Sequence, residues 1–145
     1  MKVLLDTSVL IAAVVEKHAA HVRAFVALDR VQQGADEGVV SAHSLAELYA
    51  VLTKLPAPSR HSPEQALLSM EENVLKHFKT SSLTGSDYAA LIREAAMAGI
   101  QGGTVYDAIL LKAADKAGVD RVYTLNLKHF QAVAPANLVP ILTSP

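Results

Sequence analysis

The sequence KVLLDTSVLIAAVVE, residues 2–16, joins a short apolar run, an acid and a second apolar run. The first run is short, contains only Val and Leu between Lys2 and an acid, and predicts a buried strand over Lys2–Asp6. Thr7 or Ser8 can then cap a short helix over Ser8–Glu16. A strand followed at once by a helix, if repeated along the chain, favours a parallel sheet.

The same alternation of strand and helix continues to the end of the chain. It predicts an α/β fold in which helices cover both faces of a parallel sheet. No internal repeat, low-complexity segment or linker interrupts the pattern, so we predict one domain over residues 1–145. Further strands are predicted at Gly38–Ser41, Phe78–Ser82, Arg121–Leu125 and Val139–Leu142. Further helices are predicted at His21–Gln33, Ser44–Leu55, Pro63–Lys76 after a Ser62 cap, Asp87–Ala98 after a Ser86 cap, Thr104–Ala117 and, as a short turn or helix, Leu127–Gln131.

The composition excludes several classes of protein. The chain has 145 residues, the length of one compact domain, and 51% of them are hydrophobic, which disfavours a disordered protein. Its formal net charge of -1 disfavours a broadly basic nucleic-acid-binding protein. A nuclease stays open, because a bound cation supplies local positive charge. The absence of cysteine excludes disulfides, thiolate metal sites and thiol nucleophiles. The apolar run Val9–Val15 is too short to span a bilayer, so we expect a cytoplasmic protein without a membrane segment.

Three acids occur where a solvated surface is not the obvious location. Asp6 ends the first strand, and ligands of open parallel sheets bind beyond the carboxyl ends of the strands. Glu47 lies within an apolar helix, and Asp107 lies in the first turn of another. Clustered carboxylates repel one another unless they share protons or bind a hard cation. If the three converge, their oxygen atoms favour Mg²⁺ or Mn²⁺ over zinc.

Each acid also has an ordinary structural interpretation. Asp6 can belong to a capping turn. Asp107 lies at the N-terminus of its helix, where a negative charge is favourable. One edge of the helix that carries Glu47 could face water. Spacing alone therefore leaves open whether the three side chains meet.

Four further side chains near these acids have two interpretations each. His43, one helical turn before the acid of its helix, could contact a substrate, although a capping or surface role is favoured. Asp115 lies about 80° around its helix from Asp107, and we expect it to be solvated. Tyr49 and Tyr106 are expected to pack in the core, with base stacking as the alternative.

Four stretches of the chain, taken in order, resemble one known family. VLLDTSVLIA, SLAELYAVLTKLP, GGTVYDAILLKAA and VYTLNLKHF resemble the corresponding stretches of PIN-domain proteins of the VapC toxin group. The resemblance covers nearly the whole chain and implies a three-layer α/β/α PIN fold with a central parallel sheet. It also implies Mg²⁺- or Mn²⁺-dependent endoribonuclease activity at a carboxylate cluster. Asp6, Glu47 and Asp107 match the three family acids, which makes them the expected metal ligands and catalytic residues.

The fourth stretch departs from the pattern of many family members, which carry a further Asp there. This chain has Asn126 and His129 instead. We expect Asn126 to bind a metal-held water or a ligand through its side-chain carbonyl, and His129 to contact phosphate. Fewer charges disfavour a second cation. Thr7, Ser8 and Thr124 are expected hydroxyl partners of the metal shell.

The resemblance implies partners as well as a reaction. It implies an RNA substrate, a homodimer, and an antitoxin protein, encoded beside the toxin, that inserts a segment into the active-site groove.

Other functions fit less well. A phosphatase of the haloacid-dehalogenase type, with Asp6 as nucleophile, needs an Asp two residues later, where Ser8 stands. A phosphoacceptor domain needs an adjacent acid pair near the first strand, and Lys2–Leu5 has no acid. An NTPase is disfavoured because no GxxxxGK[ST] loop occurs. The remaining alternative is an inactive PIN-like module that binds RNA or a protein, which the missing fourth acid keeps open.

Overall fold

Five parallel strands form the central sheet in the computed structural model, which describes residues 1–145. They are β1 (Lys2–Leu5), β2 (Glu37–Ser41), β3 (Phe78–Ser81), β4 (Arg121–Tyr123) and β5 (Leu142–Thr143). Their order across the sheet is β3-β2-β1-β4-β5, and every neighbouring pair is parallel. The chain moves outward from β1 to β3 and then returns to β4 on the other side of β1. The strand order therefore reverses between β1 and β4, where open α/β sheets bind ligands.

Helices cover both faces of this sheet. Within β1, Val3 and Leu5 join one buried cluster, whereas Leu4, facing the opposite way, joins the other. The first cluster packs against the first four helices and the second against the sixth and seventh. This arrangement confirms the predicted three-layer α/β/α fold. The helices are α1 (Thr7–Val14), α2 (His21–Gln32), α3 (Ala42–Leu52), α4 (Pro63–Met70) continued by a π-helical turn (Glu71–Leu75), α5 (Gly85–Met97), α6 (Thr104–Ala117) and α7 (Leu127–Val133), followed by a 3₁₀ turn (Val139–Ile141).

The predicted helix Thr104–Ala117 and the Ser62 cap are confirmed. The α6 helix ends at Gly118, whose φ of 62° is left-handed and favours glycine. Ser62 accepts a hydrogen bond from the amide of Gln65, and the Gln65 side chain accepts one from the Ser62 amide. These reciprocal bonds satisfy amide groups that the first turn of a helix leaves without partners.

Three predicted caps or helix ends are wrong. Asp6 itself caps α1 by accepting a hydrogen bond from the amide of Ser8, so the strand ends at Leu5 and the helix begins at Thr7. Thr84, not Ser86, caps α5 because its hydroxyl accepts a hydrogen bond from the amide of Asp87.

The bounds of α3 also differ from the prediction. This helix begins directly after β2 and ends three residues before the predicted Leu55, which Pro56 disfavours as a helical residue.

The last strands also differ from the prediction. The β4 strand ends at Tyr123 because Thr124 and Leu125 turn toward hydrogen bonds around Asp6. The predicted strand Val139–Leu142 is a 3₁₀ turn followed by β5, since Pro140 has no amide hydrogen to donate to a sheet.

None of the helices is both long enough and apolar enough to cross a bilayer.

Candidate active site

Asp6 is the central acid of the site. It follows β1 directly, its side chain is only 5% exposed, and it lies where the strand order reverses. Its Oδ2 accepts hydrogen bonds from the hydroxyls of Ser8 and Thr124, both at 2.7 Å, and its Oδ1 accepts one from the Ser8 amide at 3.2 Å. These neutral donors hold the carboxylate in one orientation without cancelling its charge.

The two hydroxyls around Asp6 are themselves held by the backbone. The hydroxyl of Ser8 accepts a hydrogen bond from the Leu125 amide at 3.1 Å, and that of Thr124 accepts one from the Asn126 amide at 3.0 Å. Each hydroxyl hydrogen is thereby directed to Asp6. The turn after β4 thus orients the acid that follows β1.

Glu47 approaches Asp6 from α3. The hydroxyl of Thr7 donates to Glu47 Oε1 across 3.4 Å, which joins the second acid to the residue next to Asp6. Partial burial raises the pKa of Glu47, and the charges of Asp6 and Asp107 raise it further, while His43 and Thr7 oppose this rise. The side chain is 40% exposed, so it is more open to water than the apolar helix sequence indicated.

Asp107 approaches from the first turn of α6. Its pKa is raised chiefly by partial burial and also by the charge of Asp6, whereas His129 lowers it. Glu47 is affected by the charges of Asp6 and Asp107, and Asp107 by that of Asp6, so the three acids lie near one another beyond the carboxyl end of β1. Asp115 is exposed on the same helix and hydrogen-bonds to Asn137, as expected for a solvated position.

The chemistry of these donors fits a hard divalent cation. Carboxylate and hydroxyl oxygens are the ligands that Mg²⁺ and Mn²⁺ prefer. Partial burial, and to a smaller extent the neighbouring acids, raises the pKa of Glu47 and of Asp107, and a bound cation would offset both effects. The carboxylates do not form a closed cage, because no three Asp, Glu, His or Cys side chains stand close enough together to hold an ion directly. Water ligands suit Mg²⁺, which usually keeps several of them.

Asn126 lies beside this cluster without joining it through its side chain. It precedes α7, its side chain is exposed, and only its backbone amide takes part in the hydrogen bonds that orient Asp6. His129 is exposed and close enough to Asp107 to lower its pKa.

Three features of α3 and α6, the helices that carry Glu47 and Asp107, were not predicted from the sequence. The rings of His43 and Tyr106 stack with their centroids 5.0 Å apart, and His43 Nε2 lies 3.5 Å from Glu47 Oε1. Tyr49 and Tyr106 are 41% and 50% exposed, so the expectation that both pack in the core is wrong. The hydroxyl of Ser44 is buried without a hydrogen-bond partner. The only sequence signal for the stacked pair was that each ring lies within one turn of an acid.

Comparisons with known proteins agree with this architecture. A family model described as the PIN domain matches residues 3–134. Ribonuclease VapC27 of Mycobacterium tuberculosis is 38% identical over 109 residues, which span 75% of this chain and 74% of that protein.

Two solved structures have a similar fold. One is VapC20 of Mycobacterium tuberculosis, described as a toxin that cleaves the sarcin–ricin loop, with a TM-score of 0.69 and 16% identity over 92% of this chain and 97% of the other. The second is VapBC2 of Rickettsia felis bound to a fragment of its promoter DNA, with a TM-score of 0.67 and 20% identity over 100% and 99% of the two chains.

Proposed function

The chain belongs to the PIN-domain family, in the group that contains VapC ribonucleases, and we propose that it is a metal-dependent endoribonuclease that acts as the toxin of a toxin–antitoxin pair. One observation carries the assignment of the site. Three carboxylates, one directly after β1 and the others on α3 and α6, lie near one another where the strand order reverses, and Thr7 beside Asp6 donates a hydrogen bond to Glu47.

The acids would hold one Mg²⁺ or Mn²⁺ ion, directly or through water. When bound, such an ion polarises a phosphodiester and lowers the pKa of a water molecule. Ser8 and Thr124 keep Asp6 oriented by donating to its Oδ2, and Thr7 does the same for Glu47. No side chain of the site stands out as a separate general base.

Asn126 and His129 would contact the RNA substrate or a metal-bound water. Asn126 has an exposed side-chain carbonyl that is able to bind a water or ligand, and its backbone helps to orient Asp6. His129 lies near Asp107, where it would contact phosphate. Neither adds a fourth carboxylate, so we propose one cation rather than two.

We also propose that the protein forms a homodimer and binds an antitoxin. VapBC2, which has a similar fold, was solved bound to a DNA fragment from its promoter, and it is the structural precedent for an assembly of this kind. Large apolar side chains are exposed on α2 (Val22, Phe25, Val26) and α4 (Leu67, Leu68), and such surfaces commonly mark contacts with proteins. Light scattering on the purified chain, alone and with the product of an adjacent small gene, tests both associations.

The decisive experiment is an RNA cleavage assay with a mixed, end-labelled RNA pool in Mn²⁺, Mg²⁺ or EDTA. We expect cleavage only with a cation, loss of cleavage in Asp6→Asn, and wild-type cleavage in Asp115→Asn. The second substitution removes an exposed acid from α6 that lies outside the cluster, so it controls for a general change in charge.

Equal cleavage by wild type and Asp6→Asn would identify a contaminant and contradict the assignment. If no RNA is cleaved, Mn²⁺ binding decides between the two remaining functions. Binding that Asp6→Asn abolishes would support a nuclease with a narrow RNA target. No Mn²⁺ binding by the wild type would instead support the inactive PIN-like module that binds RNA or a protein.

A further inference from the structure

The stacked rings of His43 and Tyr106 connect α3, which carries Glu47, with α6, which carries Asp107. His43 lies on α3, four residues before Glu47, and Tyr106 lies on α6, directly before Asp107. The ring planes differ by 17°, which is a stacked arrangement, and their centroids are 5.0 Å apart. The pair thus has a defined position relative to the carboxylates.

One ring of the pair stays open to solvent. Tyr106 is 50% exposed although His43 covers part of it, whereas the His43 side chain is only 29% exposed. The residues just before Tyr106 include Gly102 and Gly103, and a Cβ added to Gly103 would lie 3.8 Å from the tyrosine ring. Gly103 therefore adds no side chain beside this edge of the ring.

An open aromatic ring next to a phosphate-processing site suits a nucleobase. Every base has a π-face, so stacking on an aromatic side chain gives affinity without selecting a sequence. The chain has a net charge of -1 and three acids at the site, so general attraction to phosphate is weak and stacking would supply binding energy that charge does not. Only an unpaired base can be splayed onto a side chain in this way.

We propose that Tyr106, supported by His43, is a stacking platform for an unpaired RNA base next to the cleaved phosphate. This inference rests on the proposed ribonuclease activity and assigns Tyr106 the contact with the base. His43 is a positioning residue here, since it acts on the base through the ring of Tyr106.

The test compares Tyr106→Leu, Tyr106→Phe and a control, Ile92→Ala, on a short single-stranded RNA that the wild type cleaves. Ile92 is an exposed apolar side chain on α5, a helix that carries no proposed site residue. We expect Tyr106→Leu to raise KM on the order of 5- to 150-fold with little change in kcat. Tyr106→Phe should stay within about twofold of the wild type, because stacking needs the ring and not the hydroxyl, and Ile92→Ala should do so because it lies outside the site.

A second measurement uses RNA that carries 2-aminopurine beside the cleaved position, bound to the Asp6→Asn variant in Mg²⁺. We expect the fluorescence to be quenched on binding, and the quenching to be lost when Tyr106→Leu is added. If Tyr106→Leu fails to fold, as judged by its far-UV spectrum, then His43→Leu replaces it, and we expect a smaller rise in KM together with weaker quenching of 2-aminopurine, because the Tyr106 ring remains but loses its support.

Cleavage by the wild type with an unchanged KM in Tyr106→Leu would overturn the platform and leave the nuclease assignment intact. A lower melting temperature with an unchanged KM would likewise overturn it, and would mean that the rings only brace α3 against α6. If the wild type cleaves no RNA, the nuclease assignment is in question, and the platform is judged by fluorescence alone, with 2-aminopurine at a central position of a short single-stranded RNA. Unquenched 2-aminopurine in that case would overturn it.

Discussion

At the scale of single residues, the site depends on hydroxyl groups as much as on acids. Asp6 is almost completely buried, yet its partners are Ser8 and Thr124 and no cation side chain neutralises it. A buried carboxylate held by neutral donors keeps its charge available for a bound ion. A lysine or arginine partner would compete with the metal for this carboxylate.

Replacing Thr124 by Val tests this arrangement. Thr124 is fully buried, so the change keeps the shape and removes the hydroxyl that donates to Asp6 and accepts from the Asn126 amide. We expect about 10- to 100-fold weaker Mn²⁺ binding, as for other groups that orient metal ligands, and a loss of about 1–3 kcal/mol of unfolding free energy. Calorimetric titration with Mn²⁺ and denaturant unfolding measure the two effects.

Thr124→Ser is the matched control, because it keeps the hydroxyl and should retain Mn²⁺ affinity. Equal affinity in Thr124→Val would mean that Asp6 needs no help from β4 in binding the ion.

Removing the charge of Glu47 should stabilise the metal-free protein. Burial and the neighbouring acids raise the pKa of Glu47 in the folded chain, whereas in the unfolded chain it is about 4.3. An ionised Glu47 therefore costs stability once the pH exceeds both pKa values, and this cost fades as the pH falls toward the unfolded value. We expect Glu47→Gln to raise the melting temperature in EDTA at pH 8 by about 1–3 °C, a small gain because the side chain is 40% exposed.

Glu94→Gln, which removes an exposed acid from α5, should leave the melting temperature unchanged. In Mn²⁺ the wild type should have the higher melting temperature of the two, because the ion stabilises it more than it stabilises Glu47→Gln. A lower melting temperature of Glu47→Gln in EDTA would show that this carboxylate stabilises the apo protein.

At the scale of helices and strands, the ends of the elements determine the site. Asp6 and Asp107 lie within the first turn of a helix or at its cap, and Thr124 follows a strand. Directly after β4, Thr124 donates its amide to Thr143 of β5 and its hydroxyl to Asp6, so the end of this strand joins the sheet to the site. The β2 strand pairs with β1 and packs against α2 and β3.

Gly38 is the point in β2 where this packing leaves no room for a side chain. A Cβ there would lie 2.7 Å from Phe78 Cδ1 of β3 and would also overlap Val31 Cγ1 of α2. We expect Gly38→Ala to cost about 1–3 kcal/mol, the usual penalty for overpacking a core, as measured by urea unfolding. Gly85→Ala is the control: nothing lies within 4 Å of its Cβ, and stability should be equal or slightly higher. A neutral Gly38→Ala would mean that α2 moves easily against the sheet.

At the scale of the whole molecule, one sheet separates two buried clusters of 19 and 10 residues. Consecutive residues of the same strands contribute to both, as Leu4 and Leu5 do. Neither cluster can lose its packing without disturbing the strands that belong to the other. The two clusters therefore belong to one cooperative unit.

This arrangement predicts a single unfolding transition for residues 1–145. Calorimetry should give an unfolding enthalpy of about 100 kcal/mol near 60 °C, the average for a chain of this length. The calorimetric and van't Hoff enthalpies should agree for the monomer unit in dilute solution. Two resolved transitions would contradict the prediction of one domain.

Periodicity and turn chemistry predicted most of the fold. The α6 helix was located correctly because apolar spacing, a first-turn acid and a terminal glycine all agree. The errors concern caps and short strands, such as Ser86 in place of Thr84 and the extent of β4. Several polar residues compete for a cap, and a backbone that turns toward a distant side chain leaves no local signal.

The sequence by itself determined the order of strands and helices, and it singled out Asp6, Glu47 and Asp107 as acids in unusual positions. Only the tertiary structure decided that these acids share one environment, that Thr124 orients Asp6, and that Tyr106 stacks on His43 in solvent rather than in the core. The physical reason is the distance along the chain over which each interaction acts. Periodicity and capping act within a few residues, whereas Thr124 and Asp6 meet across 118 positions of the chain through the pairing of β1 with β4.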